Sequence, residues 1–411
     1  MTDCAPGSPG LEQPDPFRRI VWSLAGAETI IWAGLFYSFP ALLLAWERDL
    51  GWSKTELTGA FTLALIVSAF MAPVAGRLID QGFGRLIFVS SALGGALLLV
   101  ALSTVTQMWQ FYAVWFLIGL MMAGALYEPC FAILTRSMGT RARRAITVVT
   151  LIAGFAGTVS FPSAHLLVSL GGWRIAVIVF AIVIAVFAVP LVWFGCTCAA
   201  KHGRLHAPST SPRSIDVLPL LRTPTFWLLA VGFAAIALNH AALITHLLPL
   251  LDERGAHPQT AVLVASMMGP MQVAGRLAML AAEKHVSVMG ITVACFVCTM
   301  LAALALLGAT SVPLLLVVFV LLQGAGYGVT SIVRPVVTAQ LLGRDNFGVV
   351  SGLLAVPFLG AGALAPTLAA LIWGIGGYDL VIWLVAGFTL LGLTSFLSAV
   401  AANRVARRGA Q

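Results

Sequence analysis

Long apolar runs, separated by short polar breaks, dominate the pattern of residues along the chain. A run of about 20 apolar residues crosses the roughly 30 Å hydrocarbon core of a bilayer as one helix, and the runs here have that length. Segments of alternating polarity, which mark a membrane β-barrel, are not visible in the sequence. We predict an all-α membrane protein with twelve transmembrane helices, at residues 20–45, 56–79, 86–105, 109–136, 145–169, 173–195, 224–250, 258–280, 287–308, 312–340, 348–373 and 379–402.

The longest break between apolar runs divides the chain into two halves. Residues 196–223 are rich in Ser, Pro and basic side chains and lack a periodic apolar pattern, which is typical of a linker. The first residues are rich in Pro and Gly, acidic, and without the apolar stretch of a cleaved signal. We predict a disordered cytoplasmic tail at 1–19, six-helix bundles at 20–195 and 224–402, a cytoplasmic linker at 196–223 and a cytoplasmic tail at 403–411.

Four matched segments relate the two halves. The partners are separated by 199, 206, 204 and 205 residues, as expected for a duplicated unit with small insertions. Two parallel six-helix repeats are typical of transporters that rock one half against the other, so we predict two pseudo-symmetric bundles. The matches are Val74–Leu78 (VAGRL) with Val273–Leu277 (VAGRL), Glu128–Pro129 with Arg334–Pro335, Pro162 with Pro366, and Gly171–Trp173 with Gly376–Tyr378.

Lysine and arginine residues predict the orientation, because cytoplasmic loops carry an excess of them. With a cytoplasmic N-terminus, 18 of the 23 basic residues fall on the cytoplasmic side and four on the other. This count places Arg276 among the loop residues at a cytoplasmic helix end. We predict a multi-pass protein of the cytoplasmic (inner or plasma) membrane with both termini in the cytoplasm.

Composition narrows the class of function. Hydrophobic residues make up 60% of the chain and charged residues 9%, at a mean hydropathy of +1.00, whereas a soluble domain has about 25% charged residues. The net charge of +8 follows from the loops and does not indicate a nucleic-acid partner. The six cysteines lie mostly in or beside apolar runs and predict neither a disulfide framework nor a metal site.

Motifs of catalysis are also missing from the sequence. It contains no nucleophile–base arrangement, and the Gly-x-x-x-x-Gly-Lys-Ser/Thr loop that binds nucleotide phosphates is absent. We expect a protein that is not an enzyme and carries no cofactor. A membrane sensor without net flux would need a folded output domain, for which the linker of about 28 residues is too short.

Three ionisable residues lie inside apolar runs, where a charge is expensive and points to function. At 1.5 Å per residue, Glu28, Glu128 and Arg334 lie roughly 12–15 Å from the basic residues at the cytoplasmic ends of their runs. As repeat partners, Glu128 and Arg334 should face each other, either as a pair that separates during transport or as a static pair that fixes packing. For Glu28 the alternatives are proton coupling and helix packing as a protonated carboxyl group.

Four further residues are candidate solute contacts, each with a structural alternative. Tyr37 and Tyr127 could stack on or hydrogen-bond a solute, although packing is the usual role of an aromatic side chain. Asn239 and His240 lie in the outer half of the seventh run. We give equal weight to two interpretations of this pair, a satisfied polar pair within the protein and a substrate contact.

Two prolines and a cysteine stand beside the repeated charges. Pro129 and Pro335 are each expected to kink or unwind a helix. The thiol of Cys130 could bind a soft metalloid, but a buried cysteine is usually a small hydrophobic residue.

The segment between the second and third runs carries a motif. Residues 76–85 read GRLIDQGFGR, which resembles the loop signature of the major facilitator superfamily, a Gly-x-Leu-x-Asp core followed by glycine and basic residues. The resemblance extends from about residue 20 to 402. It implies a central cavity lined by spans one, four, seven and ten. It also implies a loop that latches the outward-facing state, with an ordinary charged loop as the alternative; the loop residues are Gly76, Arg77, Asp80, Gly84 and Arg85.

Two short segments are similar to one branch of that superfamily. Residues 143–145 (RRA) before a Gly-rich fifth run, and residues 172–174 (GWR) after it, resemble monocarboxylate transporters and oxalate/formate exchangers. Residues 26–29 (GAET) stand where that branch usually has an acidic residue, two glycines and tryptophan.

These features predict a secondary transporter that moves a small organic solute by alternating access, as a symporter or an antiporter. Because a guanidinium binds carboxylates in bidentate geometry, Arg334 favours an organic anion such as a monocarboxylate. Protons are a candidate coupling ion, through Glu128 or Glu28. The alternative is an efflux pump for drugs or other toxic compounds, metalloids included. Both functions imply a small-molecule substrate and a lipid bilayer as partners, and we expect a monomer.

Overall fold

The computed structural model describes residues 16–203, 221–343 and 347–409. Over these residues the chain consists of helices and short turns without a β-strand, which confirms the all-α prediction. The predicted tail before residue 16 and most of the linker lie outside the described residues. The α-helices are α1 Pro16–Ile31, α2 Ser38–Leu50, α3 Lys54–Leu78, α4 Gly84–Ser103, α5 Met108–Ala125, α6 Tyr127–Met138, α7 Ala142–Ala153, α8 Ala156–Val183, α9 Val189–Gly203, α10 Pro224–Glu253, α11 Pro258–Ala282, α12 Val288–Leu307, α13 Leu314–Leu342 and α14 Phe347–Gly409.

Local sequence signals explain where several helices begin. The hydroxyl of Ser53 accepts a hydrogen bond from the Glu56 amide at 3.2 Å, and the Glu56 carboxylate accepts one from the Ser53 amide at 2.8 Å. This reciprocal capping box satisfies two amides that would otherwise lack helical partners at the start of α3. Ser287 caps α12 through a single hydrogen bond, which its hydroxyl accepts from the amide of Gly290 at 3.2 Å.

Ten helical stretches in the described residues are long and apolar enough to cross a membrane. Two of them, Arg144–Lys201 with 58 residues and Gly352–Asn403 with 52, exceed the about 20 residues that one crossing needs. Each contains a glycine pair with non-helical backbone, and the second glycine has positive φ, 82° at Gly172 and 67° at Gly377. Glycine adopts such angles without steric cost, so these matched pairs interrupt the two longest stretches.

The helices of the first half carry further interruptions. A π-helical turn at Trp32–Phe36 joins α1 to α2, and a second at Ile184–Ala188 joins α8 to α9. Leu126 has extended backbone (φ −93°, ψ −159°) between α5 and α6. The predicted break beside Pro129 is therefore confirmed, and this proline lies in the first turn of α6, where its missing N–H is not needed. Pro335 lies inside the uninterrupted helix α13.

Aromatic side chains fill much of the core of the first half. The rings of Phe39 and Phe61 stack at 4.3 Å, and Trp115 packs edge-on against Phe39 at 5.0 Å. Trp46 and Phe111 extend this cluster. These rings hold α2, α3 and α5 together, so the first half has a rigid apolar centre.

One group of contacts between the two halves of the chain lies at the end where α2 and α10 finish and α3 and α11 begin. We call it the Arg48 end, since Arg48 there donates two hydrogen bonds to Asp252, at 2.6 and 2.7 Å. The ammonium group of Lys54 lies 3.9 Å from the ring centroid of Trp373. Farther along the same helices, the hydroxyls of Thr62 and Thr367 are 2.8 Å apart.

A second line of contact joins α7 and α8 to α11. The Thr158 hydroxyl donates to the carbonyl of Ser266 at 2.7 Å. A side chain at Gly269 would collide with the backbone oxygen of Gly154, so only glycine permits this close approach. The two halves thus touch through backbone as well as through side chains.

Candidate functional site

Glu28 lies in the interior of the protein. The residue is fully buried in α1, and the thiol of Cys130 on α6 lies close enough to interact with its carboxyl group electrostatically. Tyr127, one turn before Cys130, is close enough to interact with Glu28 electrostatically. The carboxyl group therefore lies between α1 and α6, two of the helices on which the sequence predicted candidate residues.

Aromatic rings from the π-helical turn, α6 and α8 form a wall beside this carboxyl group. The ring of Tyr127 lies 4.7 Å from Trp32 and stacks on Phe131 at 5.0 Å. Tyr37, directly after the π-helical turn, packs edge-on against Phe36 at 5.2 Å and against Phe161 at 6.2 Å. The structure thus brings Tyr37 and Tyr127 to the same group of rings, which we call the aromatic wall.

Helix α13 presents a stripe of polar residues. Gln323, Tyr327, Thr330 and Arg334 are spaced by three or four residues, so they share one face of the helix. The imidazole of His240 stacks on the ring of Tyr327, with centroids 3.4 Å apart and planes within 6°. This contact joins the stripe to α10.

Arg334 is half-buried near the far end of the stripe. Its guanidinium lies 4.2 Å from the ring centroid of Phe358 on α14. Among the described residues, no group hydrogen-bonds to its Nη1 atom, although that atom is buried. It also lies close enough to Tyr327 for electrostatic interaction. A buried guanidinium with a spare donor can bind an anion.

Arg276 is the residue that sequence reasoning missed. It was counted among the loop residues at a helix end, but the structure places it inside α11 with 9% of its surface exposed. Its Nε donates to the carbonyl of Gly328 at 2.9 Å and its Nη1 to the carbonyl of Thr150 at 3.0 Å. Within the described part of the chain these bonds leave Nη2 without a partner. The apolar residues that flank the second VAGRL segment were the sequence signal for the burial of Arg276.

The surroundings of Arg276 connect the two halves of the site. Arg276 is close enough to Tyr37, Tyr127 and Tyr327 to interact with all three electrostatically. It therefore lies between the aromatic wall and the polar stripe of α13. A solute in this region would meet tyrosines on both sides and positive charge from Arg276 and Arg334.

Asn239 belongs to a hydrogen-bonded network in the second half. Its side-chain amide donates to the Thr389 hydroxyl at 3.0 Å and to the carbonyl of Thr299 at 3.3 Å. Its own carbonyl accepts from Gln323 at 2.9 Å. These bonds tie α10 to α12, α13 and α14, so Asn239 packs between helices while His240, its neighbour, reaches Tyr327.

Two predicted residues have side chains outside the described part of the structure. Glu128 is the second residue of α6, and Asp80 lies in the π-helical segment Ile79–Phe83 after α3. The pairing of Glu128 with Arg334 across a cavity therefore stays a prediction.

The rest of the loop motif forms the turn between α3 and α4. Gly76 and the exposed Arg77 lie in the last turn of α3, and Gly82 has φ 99°, which favours glycine. Gly84 is buried, and a side chain there would press on Ile79 and Ile133. Arg85 is exposed; its guanidinium lies 4.4 Å from the Trp193 ring and 3.4 Å from the Thr197 hydroxyl. The latching role stays a prediction.

A cavity of about 460 Å³ lies elsewhere, at the Arg48 end. Phe161, His165, Leu248 and Pro258 are among its walls, and Arg48 and Asp252 also line it. It contains none of the predicted solute contacts. Glu28, Arg276 and Arg334 do not line this cavity, although Phe161 belongs both to its walls and to the aromatic wall. We place the candidate site at the aromatic wall and the polar stripe.

Apolar helices long enough to cross a bilayer, with ionisable groups buried between them, define a polytopic helical membrane transporter. Residues 24–301, more than half of the chain, match the family model of the Major Facilitator Superfamily. The chain belongs to this superfamily of transporters, which confirms the resemblance stated from the loop motif. The closer resemblance to one branch stays a prediction.

Solved structures share the fold over nearly the whole chain. A bacterial homolog of the human lysosomal transporter Spinster, in an inward-facing and occupied conformation, has a TM-score of 0.67 at 14% identity. The likeness covers 96% of this chain and 98% of that one. The nucleoside transporter NupG has a TM-score of 0.68 at 16% identity, over 93% of this chain and 99% of that one. At these identities the likeness shows the fold alone. No curated protein sequence matches the chain.

Proposed function

We propose that this protein moves a small organic anion across the cytoplasmic membrane by alternating access between two six-helix bundles. The bundles comprise residues 20–195 and 224–402, joined by a linker at 196–223 and flanked by tails at 1–19 and 403–411. The glycine breaks at Gly172 and Gly377 support twelve crossings, because each divides an overlong helical stretch into two segments of membrane-spanning length.

The orientation follows from the basic residues. Both termini lie in the cytoplasm, and the Arg48 end faces away from it. Contacts between the halves at the Arg48 end, such as Arg48 with Asp252, support a state that is closed on the outer side. In this state the solute site communicates with the cytoplasm, and the protein acts as a monomer.

The observation that carries the anion proposal is the pair formed by the buried Arg276 and the half-buried Arg334 beside the aromatic wall. Arg276 and Arg334 each retain a donor that no described residue uses, and burial strengthens their attraction for an anionic group. A carboxylate would satisfy a guanidinium in bidentate geometry. The rings of Tyr37, Tyr127 and Tyr327 would then surround the rest of the solute.

Proton coupling is assigned to Glu28. Its carboxyl group is buried on α1 and lies near Cys130 and Tyr127 at the edge of the solute region. A carboxyl group there can gain and lose a proton as the two halves move, as intramembrane acidic residues do in other transporters. Proton flux into liposomes that accompanies anion uptake, and disappears in Glu28→Gln, tests this assignment.

The anion proposal is tested by substituting Arg334 with lysine. Lysine keeps the positive charge but loses the planar bidentate donor pair, so we expect anion uptake into proteoliposomes to fall about tenfold or more. Arg222→Lys is the matched control, because Arg222 is an exposed residue before α10. Uptake by Arg334→Lys at the rate of Arg222→Lys would refute an anion-binding role for Arg334.

A second candidate function is efflux of cationic, amphiphilic compounds. Trp32, Tyr127 and Phe131 beside the carboxyl group of Glu28 favour it, because aromatic faces attract organic cations. Binding of tetraphenylphosphonium that survives Arg276→Ala but is lost in Glu28→Gln would support this alternative. Metalloid efflux gains no such support, since no group of three metal-ligating side chains occurs among the described residues.

A further inference from the structure

Two buried acceptor atoms in the second half of the site lack hydrogen-bond partners. Among the described residues, none hydrogen-bonds to Oε1 of Gln323 or Nδ1 of His240, although both atoms are buried. Gln323 is completely buried, and 7% of the His240 surface is exposed. Leaving such a group unpaired is unfavourable, so each one needs an explanation.

The bonds that these residues do make fix where the spare atoms are. Gln323 donates its amide nitrogen to Asn239 at 2.9 Å, which holds the side chain in place and leaves its oxygen unused. His240 stacks flat on Tyr327, one turn along α13 from Gln323. The ring is therefore held by stacking, and its buried Nδ1 atom has no hydrogen-bond partner among the described residues.

The levels of these groups along α13 can be compared through Arg276. Arg276 is anchored to the carbonyl of Gly328, five residues along α13 from Gln323, which corresponds to an axial separation of about 8 Å at the α-helical rise. Arg334 is farther along the same face. Between the two levels lie the stacked rings of His240 and Tyr327. The site thus has cationic groups at one end, flat rings in the middle and acceptors at the other end.

We propose, on the basis of the anion transport proposed above, that the substrate is an elongated anion with a flat apolar body and a hydrogen-bond donor about 8 Å from its anionic group. The anionic group binds Arg276, the body lies against Tyr327, and the donor binds Gln323 Oε1. A short monocarboxylate cannot reach both ends at once, so Gln323 determines specificity.

Four anions and purified full-length protein test this inference. The probes are 3-(4-hydroxyphenyl)propionate, which carries a donor at its far end, 3-phenylpropionate, which lacks it, and the short anions lactate and acetate. Dissociation constants are measured by isothermal titration calorimetry. We expect the hydroxylated acid to bind about tenfold or more tighter than each of the other three, because the site's acceptors stay unpaired without it.

Two variants identify the residue responsible. Gln323→Met keeps the size of the side chain and removes the acceptor, so the preference for the hydroxylated acid should fall to about twofold or less. Thr389→Val is the matched control, because it breaks the same network on the far side of Asn239 without touching Gln323 Oε1. The control should keep the full preference.

Each outcome decides between the proposals. Equal binding of both aromatic acids, tightest binding of a short anion, or a preference that persists in Gln323→Met would overturn this inference while leaving anion transport intact. If the wild-type protein binds none of the four anions, the proposed function fails together with it. A preference that is present in the wild type and Thr389→Val but lost in Gln323→Met supports the inference.

Discussion

The two halves of the chain differ in the continuity of their helices: those of the first half are interrupted, and four helices of the second half are continuous. The first half contains three π-helical segments, an extended residue at Leu126 and a turn at 154–155, whereas α10, α11, α12 and α13 run without a break. Prolines do not explain the difference, since Pro249, Pro270 and Pro335 lie inside those continuous helices. Matched sequence segments therefore do not impose the same backbone.

The chemistry of the two halves differs as well. The first half contributes the aromatic wall and the buried carboxyl group of Glu28. The second half contributes Arg276, Arg334 and the amide network of Asn239. A solute between them would meet apolar rings on one side and directional hydrogen-bonding groups on the other, so affinity and orientation come from different halves.

The clearest case is the pentapeptide that both halves share. Arg77 is exposed in the last turn of α3, whereas Arg276, at the same place in the second copy, is buried and bonded to two carbonyls. Identical local sequence thus yields a solvated residue in one half and a site residue in the other. Packing against helices that are distant in sequence determines which environment each arginine has.

The largest expected effect comes from exchanging these two arginines for glutamine. Arg276→Gln removes a buried cation from the solute region, and we expect the dissociation constant of a bound anion to rise about 100-fold. Arg77→Gln changes only an exposed residue of the loop motif and should leave that constant within about twofold. Calorimetric titration of both variants checks the comparison; similar losses in both would show that the two copies are equivalent.

A smaller effect is expected from adding a methyl group where the two halves are in close contact. Gly269→Ala would push a methyl group into the backbone oxygen of Gly154, so the free energy of unfolding should fall by about 1–3 kcal/mol. Gly352→Ala, where a methyl group meets open space, is the control. Denaturant unfolding in detergent measures both; equal stability of the two variants would mean that the halves can separate at this contact without cost.

The amide network should contribute a similar or slightly smaller amount. Asn239→Leu leaves Gln323 and Thr389 without their partner, and we expect a loss of about 2 kcal/mol in the free energy of unfolding. Thr394→Val, at an exposed position of α14, should change it by less than about 0.5 kcal/mol. An unchanged stability for Asn239→Leu would remove the contrast between the polar core of the second half and the aromatic core of the first.

The smallest effect belongs to the exposed ion pair at the Arg48 end. The side chains of Arg48 and Asp252 are 63% and 37% exposed, so Arg48→Gln should cost less than about 1 kcal/mol. The expected result is a melting temperature that shifts slightly in low salt and not at all in high salt, because salt screens such pairs. A large shift at both salt concentrations would make this pair a main connection between the halves.

Much of the fold follows from the sequence for identifiable reasons. Apolar runs of bilayer length predict the helices, and the glycine pairs at 171–172 and 376–377 mark the breaks in the two longest helical stretches. The break at Leu126 follows from Pro129, three residues later. These signals are local, since hydropathy and backbone freedom act over a few residues.

The site depends on longer-range packing, and there local signals fail. The sequence repeat predicted the same environment for Arg276 as for Arg77. The burial of Arg276, however, depends on contacts with Thr150 and Gly328 from other helices. Asn239 and His240 are neighbours in sequence, yet they point to different helices because each residue turns the helix face by about 100°. The local sequence does not reveal which helix each of these two neighbouring residues contacts.

The π-helical turn at Trp32–Phe36 has a consequence for how this chain tolerates changes of length. A π-turn holds one residue more than the α-helix it interrupts. Deleting one residue there would therefore restore a regular α-helix and keep the side chains of α2 pointing in the same directions, with Arg48 still directed at Asp252. The same deletion within the continuous α10 would rotate every later residue of that helix by about 100°. The first half can therefore absorb a single-residue deletion that would misalign the second.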